Sequence, residues 1–193
     1  MKKLSEVELR ILLKNRKKIE QEVKKLGAEV ISNLKIKDYW YCPKSIKSYK
    51  EAQIDNLGFA LRVREVRDCD TNKESFSLDC KTLISGKNHA LCNEYEVDLN
   101  SSKQIKKILE NIGFKLFLLL RKSRVVYKYK NLKFYFDKIK GIGDGLEIES
   151  MTREDEKKVY NNILNLAFKL GISPNEILDK SLTYLAMKKL ARF

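Results

Sequence analysis

The chain has 193 residues, 43% hydrophobic and 34% charged, which fits one folded domain with its own core and excludes a disordered chain. No apolar run approaches the ~20 residues of a membrane span, and Lys2-Lys3 is followed by Glu6 rather than by an apolar signal segment, so a cytoplasmic protein is expected. A net charge of +14, from 40 Lys+Arg against 26 Asp+Glu, points to polyanionic ligands: phosphorylated small molecules, nucleic acid or an anionic membrane surface.

The first predicted element is a strand, Ser5 to Leu12, in which Val7, Leu9 and Ile11 alternate with Glu6, Glu8 and Arg10. Asn15 then caps a helix over Arg16 to Leu26, stopped by Gly27. Val30 to Ile36 reads as a second strand, and Asp38-Tyr39-Trp40-Tyr41-Cys42-Pro43 as an aromatic turn closed by proline. Ser45 to Leu57 has no clear period. Phe59 to Val66 places Arg62 and Arg64 on one face. Ser75 to Lys81 sets Phe76, Leu78 and Cys80 against Ser77, Asp79 and Lys81. After a loop at Ser85 to Asn88, Asn93 to Leu99 aligns Glu94, Glu96 and Asp98 against Tyr95, Val97 and Leu99.

Ser101 or Ser102 starts a helix that runs through Glu110 and ends at Gly113. Leu116 to Tyr129 is one long strand or a bent pair, with Lys122 and Arg124 sharing a face. Leu132 to Lys138 puts Lys133, Tyr135 and Asp137 opposite Leu132, Phe134 and Phe136. The run Gly141-Ile142-Gly143-Asp144-Gly145 opens no helix, so it is read as a turn between strands and not as a nucleotide loop. Glu147 and Glu149 follow in phase. Helices over Arg153 to Leu170 (capped by Thr152 with Asp155), from Ser173-Pro174, and over Leu182 to Leu190 complete the chain. No repeat or linker interrupts residues 1–193, which predicts a single α+β domain rich in antiparallel strands.

Cys42, Cys69, Cys80 and Cys92 form no Cys-x-x-Cys pair, and His89 is the only histidine. Structural zinc and a Cys/His nucleophile pair are therefore not expected, and the cysteines read as reduced thiols. A metal held by this chain would need oxygen ligands, hence Mg2+ or Mn2+.

The aligned polar faces carry Glu6, Glu8, Glu94, Glu96, Asp98, Asp137, Glu147 and Glu149, with Arg10, Arg62, Arg64, Lys81, Lys122, Arg124 and Lys133. They are almost purely ionic and sorted into acidic and basic rows, unlike the mixed polar surface of a wet sheet. An open sheet with one wet face would alternate in the same way. The sorting favours a closed barrel with apolar faces outward under helices, divalent metal on the carboxylates and a phosphate chain on the Arg/Lys rows.

These residues resemble the CYTH family of triphosphate tunnel enzymes, and most of all its class IV adenylate cyclase branch. Glu6-Val7-Glu8-Leu9-Arg10 is similar to the family's Glu-x-Glu-x-Lys signature, with arginine in place of the lysine. Leu61-Arg62-Val63-Arg64, Lys81 and Glu94-Tyr95-Glu96 match its central strands, though Asn93 stands where relatives often carry arginine. Gly113-Phe114 with Lys122-Ser123-Arg124, and Asp137 through Gly141-Ile142-Gly143 to Glu147-Ile148-Glu149, resemble its closing elements. The resemblance implies a closed eight-stranded antiparallel barrel with flanking helices. It implies metal ligands Glu6, Glu8, Glu147 and Glu149, with Glu96 a weaker fifth. Arg10, Arg62, Arg64, Lys81, Lys122 and Arg124 would bind phosphate, with Arg10 and Lys81 also catalytic, and Asp137 and Glu94 would be further acids of the tunnel.

The expected activity is conversion of ATP to cyclic AMP and pyrophosphate. Hydrolysis of inorganic triphosphate, thiamine triphosphate or a nucleotide is the alternative, and non-enzymatic binding of RNA or polyphosphate a second one. ATP or tripolyphosphate is the expected partner, rather than nucleic acid or a membrane, and homodimerisation is left open.

Overall fold

The computed structural model describes residues 5–83 and 92–193; the loop expected at Ser85 to Asn88, and His89, lie outside them. Strands β1 (Ser5–Leu13), β2 (Glu29–Pro43), β3 (Phe59–Asp68), β4 (Glu74–Leu83), β5 (Cys92–Leu99), β6 (Phe114–Tyr129), β7 (Leu132–Ile139) and β8 (Gly143–Thr152) are joined by helices α1 (Arg16–Lys25), α2 (Ile54–Leu57) and α3 (Ser102–Asn111). After β8 come α4 (Glu156–Lys169), a 3-10 turn at Pro174–Glu176 and α5 (Leu182–Leu190). Asn15 caps α1 by accepting the Lys18 N–H at 3.2 Å, and Asp155 caps α4 by accepting that of Lys158 at 2.8 Å. The glycine-rich run covers the end of the turn from β7 to β8 and the first three residues of β8, with Gly141 at φ 84° and Gly143 at φ 134°, conformations that suit glycine.

Two expectations are corrected. The aromatic stretch Tyr39-Trp40-Tyr41-Cys42-Pro43 is not a turn but the second half of β2. Trp40, Tyr41 and Cys42 are all buried, so both strand faces are apolar there and the period of two that marks a strand is lost. Pro43 closes the strand, where its missing N–H breaks no interior ladder bond.

The second correction concerns closure. The eight strands form one sheet in the order β1-β8-β7-β6-β2-β3-β4-β5, which is not closed into a barrel. Among the described strands β1 pairs with β8 alone and β5 with β4 alone, each antiparallel, so the sheet ends on two edges. Alternation reveals that a strand has two faces. Closure needs a ladder between the first and last strands, which local periodicity does not encode.

The chain clusters into two compact units, the described residues of Met1–Leu34 with Ser123–Leu182, and Lys35–Lys122 with Thr183–Phe193. In the first, Val7, Leu9 and Ile11 of β1, Phe134 and Phe136 of β7, and Leu146 and Ile148 of β8 pack with Ile19 and Val23 of α1 and Val159, Ile163 and Ala167 of α4. In the second, Val63 and Tyr41 are buried with Leu109, and Leu61, Leu78, Leu99 and Ile105 pack around them, which seats α3 on its sheet. Each unit thus covers its apolar strand faces with helices, and the aligned charged rows lie on the opposite parity, whereas Glu65 of β3 shares the parity of Leu61 and Val63. Cys42, Cys69 and Cys80 are free thiols, and burial pushes Cys42 and Cys80 upward in pKa. Among the described residues no helix is long and apolar enough to cross a membrane.

One polar cluster ties α3 down. Glu65 of β3 accepts from Tyr39 Oη at 3.1 Å, from Ser102 Oγ at 2.6 Å and from Lys106 Nζ, which also lies 3.3 Å from the centre of the Tyr39 ring. Burial alone would raise the Glu65 carboxyl, but the bonds from Lys106 and Ser102 and the Lys106 charge outweigh it and lower it from 4.5 to about 2. Its ionised form therefore stabilises the fold fully above pH 4.5, and that contribution is lost as pH falls toward 2. Glu65→Gln is expected to cost about 1–3 kcal/mol in urea unfolding at neutral pH. The variant should also lack this segment of acid sensitivity; identical stability-versus-pH curves for the two proteins would refute the assignment.

Candidate functional site

In the first unit, strand register lays out a carboxylate face. Glu8 of β1 stands opposite Glu149 of β8, and Arg10 opposite Glu147. On the other side of β8, Lys133 stands opposite Glu149 and Tyr135 opposite Glu147. Directly opposed residues have Cβ atoms about 5 Å apart, so Glu8 and Glu149 repel unless positive charge lies close by. Two guanidiniums supply some of it. Arg10 pairs with Glu8. Arg124 of β6 grips Asp137 with Nε and Nη2, both at 2.6 Å, and also donates to Glu147 at 2.9 Å. Its guanidinium lies 4.6 Å from the centre of the Tyr135 ring.

Burial would lower the Arg124 pKa, but the Asp137 bond and the charges of Asp137 and Glu147 raise it, so Arg124 is permanently cationic. Tyr135 donates to Glu149, and burial with the negative charge of Glu149 and Glu6 pushes its hydroxyl pKa upward. Asp137 is only 1% exposed. A wet sheet face does not bury its charges in this way.

In the second unit, Arg62 and Arg64 of β3 are each held by an aspartate. Arg64 donates to Asp38 of β2 through Nε at 2.6 Å and Nη2 at 2.9 Å. Arg62 donates to Asp79 of β4 through Nε at 3.3 Å and Nη2 at 3.0 Å, and lies against the Trp40 ring at 5.3 Å. Burial would raise the Asp38 carboxyl, but the Arg64 bond and the charges of Arg64, Arg62 and Lys122 hold it below the usual range. Lys81 faces Glu94 in register and bonds to it at 2.5 Å, with 45% and 63% of the two side chains exposed. Glu96 stands opposite Asp79 on β5, and Glu94, Glu96 and Asp98 are exposed.

Comparison with known proteins fits this layout. The CYTH domain family model matches residues 4–182. The chain belongs to the CYTH domain family. A Methanocaldococcus jannaschii protein named "Putative adenylate cyclase" is 29% identical over 187 residues, covering 96% of this chain and 99% of its own. A solved Pyrococcus horikoshii OT3 structure superposes with a TM-score of 0.74 at 22% identity, covering 95% of this chain and 98% of that one. A Hippeastrum "Putative adenylyl cyclase", described as having a dominant triphosphatase activity, superposes with a TM-score of 0.65 at 16% identity, covering 96% of each. At those identities the two structures establish likeness of fold.

The CYTH chain thus brings Glu6, Glu8, Glu147 and Glu149 to one face of neighbouring strands in its first unit, with Arg10, Arg124 and Asp137. Arg62, Arg64, Lys81, Lys122, Glu94 and Glu96 belong to the second. The four first-unit carboxylates fit a hard divalent cation in donor chemistry and in the repulsion between opposed Glu8 and Glu149. Their side chains are not gathered: among the described residues no three His, Cys, Asp or Glu converge in a metal-holding arrangement. Glu8 is turned to Arg10 and Glu147 to Arg124 instead.

Sequence reasoning missed the roles of Asp38, Asp79 and Trp40. Asp79 had the right parity beside Lys81. Asp38 and Trp40 were obscured because their strand was read as a turn. Removing Asp137 would leave the buried Arg124 with Glu147 as its remaining charge-bearing bond partner of the pair, so Asp137→Ala is expected to cost about 2–4 kcal/mol in thermal or urea unfolding. A change within experimental error would show that this pair is not a strongly held buried one.

Proposed function

We propose that the chain is a divalent-metal-dependent enzyme that acts on the phosphoanhydride chain of a triphosphate. The observation that carries this reading is the charged face itself: arginines paired with buried aspartates, and opposed carboxylates on adjacent strands, in a chain of the CYTH family. Glu6, Glu8, Glu147 and Glu149 are assigned to Mg2+ or Mn2+, with Glu96 a weaker candidate. Arg62, Arg64, Lys81, Lys122, Arg124 and Arg10 are assigned to phosphate oxygens.

The first reading of the reaction is cyclisation of ATP, supported by the name of the archaeal relative. The ribose 3′-hydroxyl gives its proton to solvent as its oxygen bonds to the α-phosphorus, the bond from that phosphorus to the bridging oxygen breaks, and pyrophosphate leaves with the bridging oxygen. When bound, the divalent cation supplies Lewis acidity that lowers the pKa of the attacking hydroxyl. The arginines stabilise negative charge as it develops on the leaving pyrophosphate, and their fixed positions avoid reorganisation during the reaction. Arg10, where the family signature has lysine, offers a planar fork in place of a compact ammonium. The second reading is triphosphate hydrolysis, in which water takes the place of the 3′-hydroxyl; the activity described for the Hippeastrum protein favours it.

Incubation with ATP and Mn2+, assayed for cyclic AMP beside phosphate release from tripolyphosphate, separates the readings. Cyclic AMP without phosphate release excludes the hydrolase. Glu147→Gln is expected to lower metal-dependent turnover by about a hundredfold or more. A full-rate variant overturns the metal-ligand assignment.

A further inference from the structure

We infer that Asp38, Asp79 and Asp137 are positioning residues, each holding one arginine in the orientation needed to grip a phosphate. The inference rests on the phosphate-binding reading above. Its basis is a geometry that occurs three times. Arg64 on Asp38, Arg62 on Asp79 and Arg124 on Asp137 all engage through Nε and Nη2, one arginine edge against one carboxylate. The two-point fork fixes the guanidinium plane and its rotation, and the Nη1 group lies outside the fork in each pair. All three aspartates are buried. Two of the arginines are also held against a ring, Arg62 on Trp40 and Arg124 on Tyr135.

Stability alone is a poor account of this arrangement. A buried ion pair roughly breaks even against a well-packed apolar pair, because both charges lose their hydration. An arginine that is unrestrained before ligand arrives, however, must lose its rotamer freedom on binding. An aspartate that holds it beforehand removes that cost from the binding step. The same aspartate also subtracts charge from a site for anions. Positioning and neutralisation therefore predict opposite effects when the aspartate's charge is deleted.

The test is calorimetric binding of inorganic tripolyphosphate with divalent metal chelated, comparing the full-length protein with Asp79→Asn and Asp79→Glu, each shown to be folded by its melting curve. Asp79→Asn adds one unit of positive charge, yet positioning predicts binding about tenfold weaker. Asp79→Glu keeps the charge and shifts the fork by one methylene; positioning predicts weaker binding here too, and neutralisation predicts no change. Equal or tighter binding by Asp79→Asn, or unchanged binding by Asp79→Glu, overturns the inference while leaving the triphosphate reading in place. Should Asp79→Asn fail to fold, Asp79→Glu decides alone. A wild-type protein that binds no tripolyphosphate either with metal chelated or with Mg2+ restored overturns both.

Discussion

A charge withdrawn from water must meet an opposite charge at contact distance, and this chain meets the requirement three times with one device. Arg62, Arg64 and Arg124 are each forked onto a buried aspartate. The pairs require that strands of the right parity lie beside each other. Arg62 stands directly across from Asp79 in the β3–β4 ladder, so a one-residue slip would turn one partner to the helix-covered face. The apolar parity must then be covered independently, by α1 and α4 in one unit and by α3 in the other. Helix placement and charge pairing are two consequences of one register.

Net charge and site charge are different properties here. The excess of 14 positive charges describes the whole chain, and much of it is exposed lysine on helices and turns. The charged faces are closer to internal balance. Glu8 and Glu147 each have an arginine, and Glu149 has the Tyr135 hydroxyl. The exposed Lys81–Glu94 pair is of another kind: solvent competes for both partners, and such pairs stabilise little. The forked arginines therefore carry more structural information than the lone lysine does.

The charged rows were legible in the sequence because a strand's period of two is strictly local. Glu6/Glu8, Arg62/Arg64 and Glu147/Glu149 needed nothing but their own neighbours to be placed on one face. The cap at Asn15 was legible for the same reason, whereas the cap read at Thr152 with Asp155 ahead of a helix from Arg153 is Asp155 itself, and α4 begins at Glu156. The second half of β2 was not, since burial on both faces removed the alternation and left an aromatic run ending in proline, which looks like a turn. Asp38 went with it.

By itself the sequence determined eight charged-and-apolar strand patterns, the helices between most of them, and membership of a family whose motifs follow in order over nearly the whole chain. Tertiary structure alone decided which carboxylate faces which guanidinium, that Glu8 lies opposite Glu149, and that the sheet ends on β1 and β5 instead of closing. The division has a physical cause. A face is set by backbone geometry within a few residues, whereas a partner is set by the register of strands far apart in the chain. Asp137 and Arg124 are 13 residues apart, Asp38 and Arg64 are 26, and no local pattern records that each pair will share one buried fork.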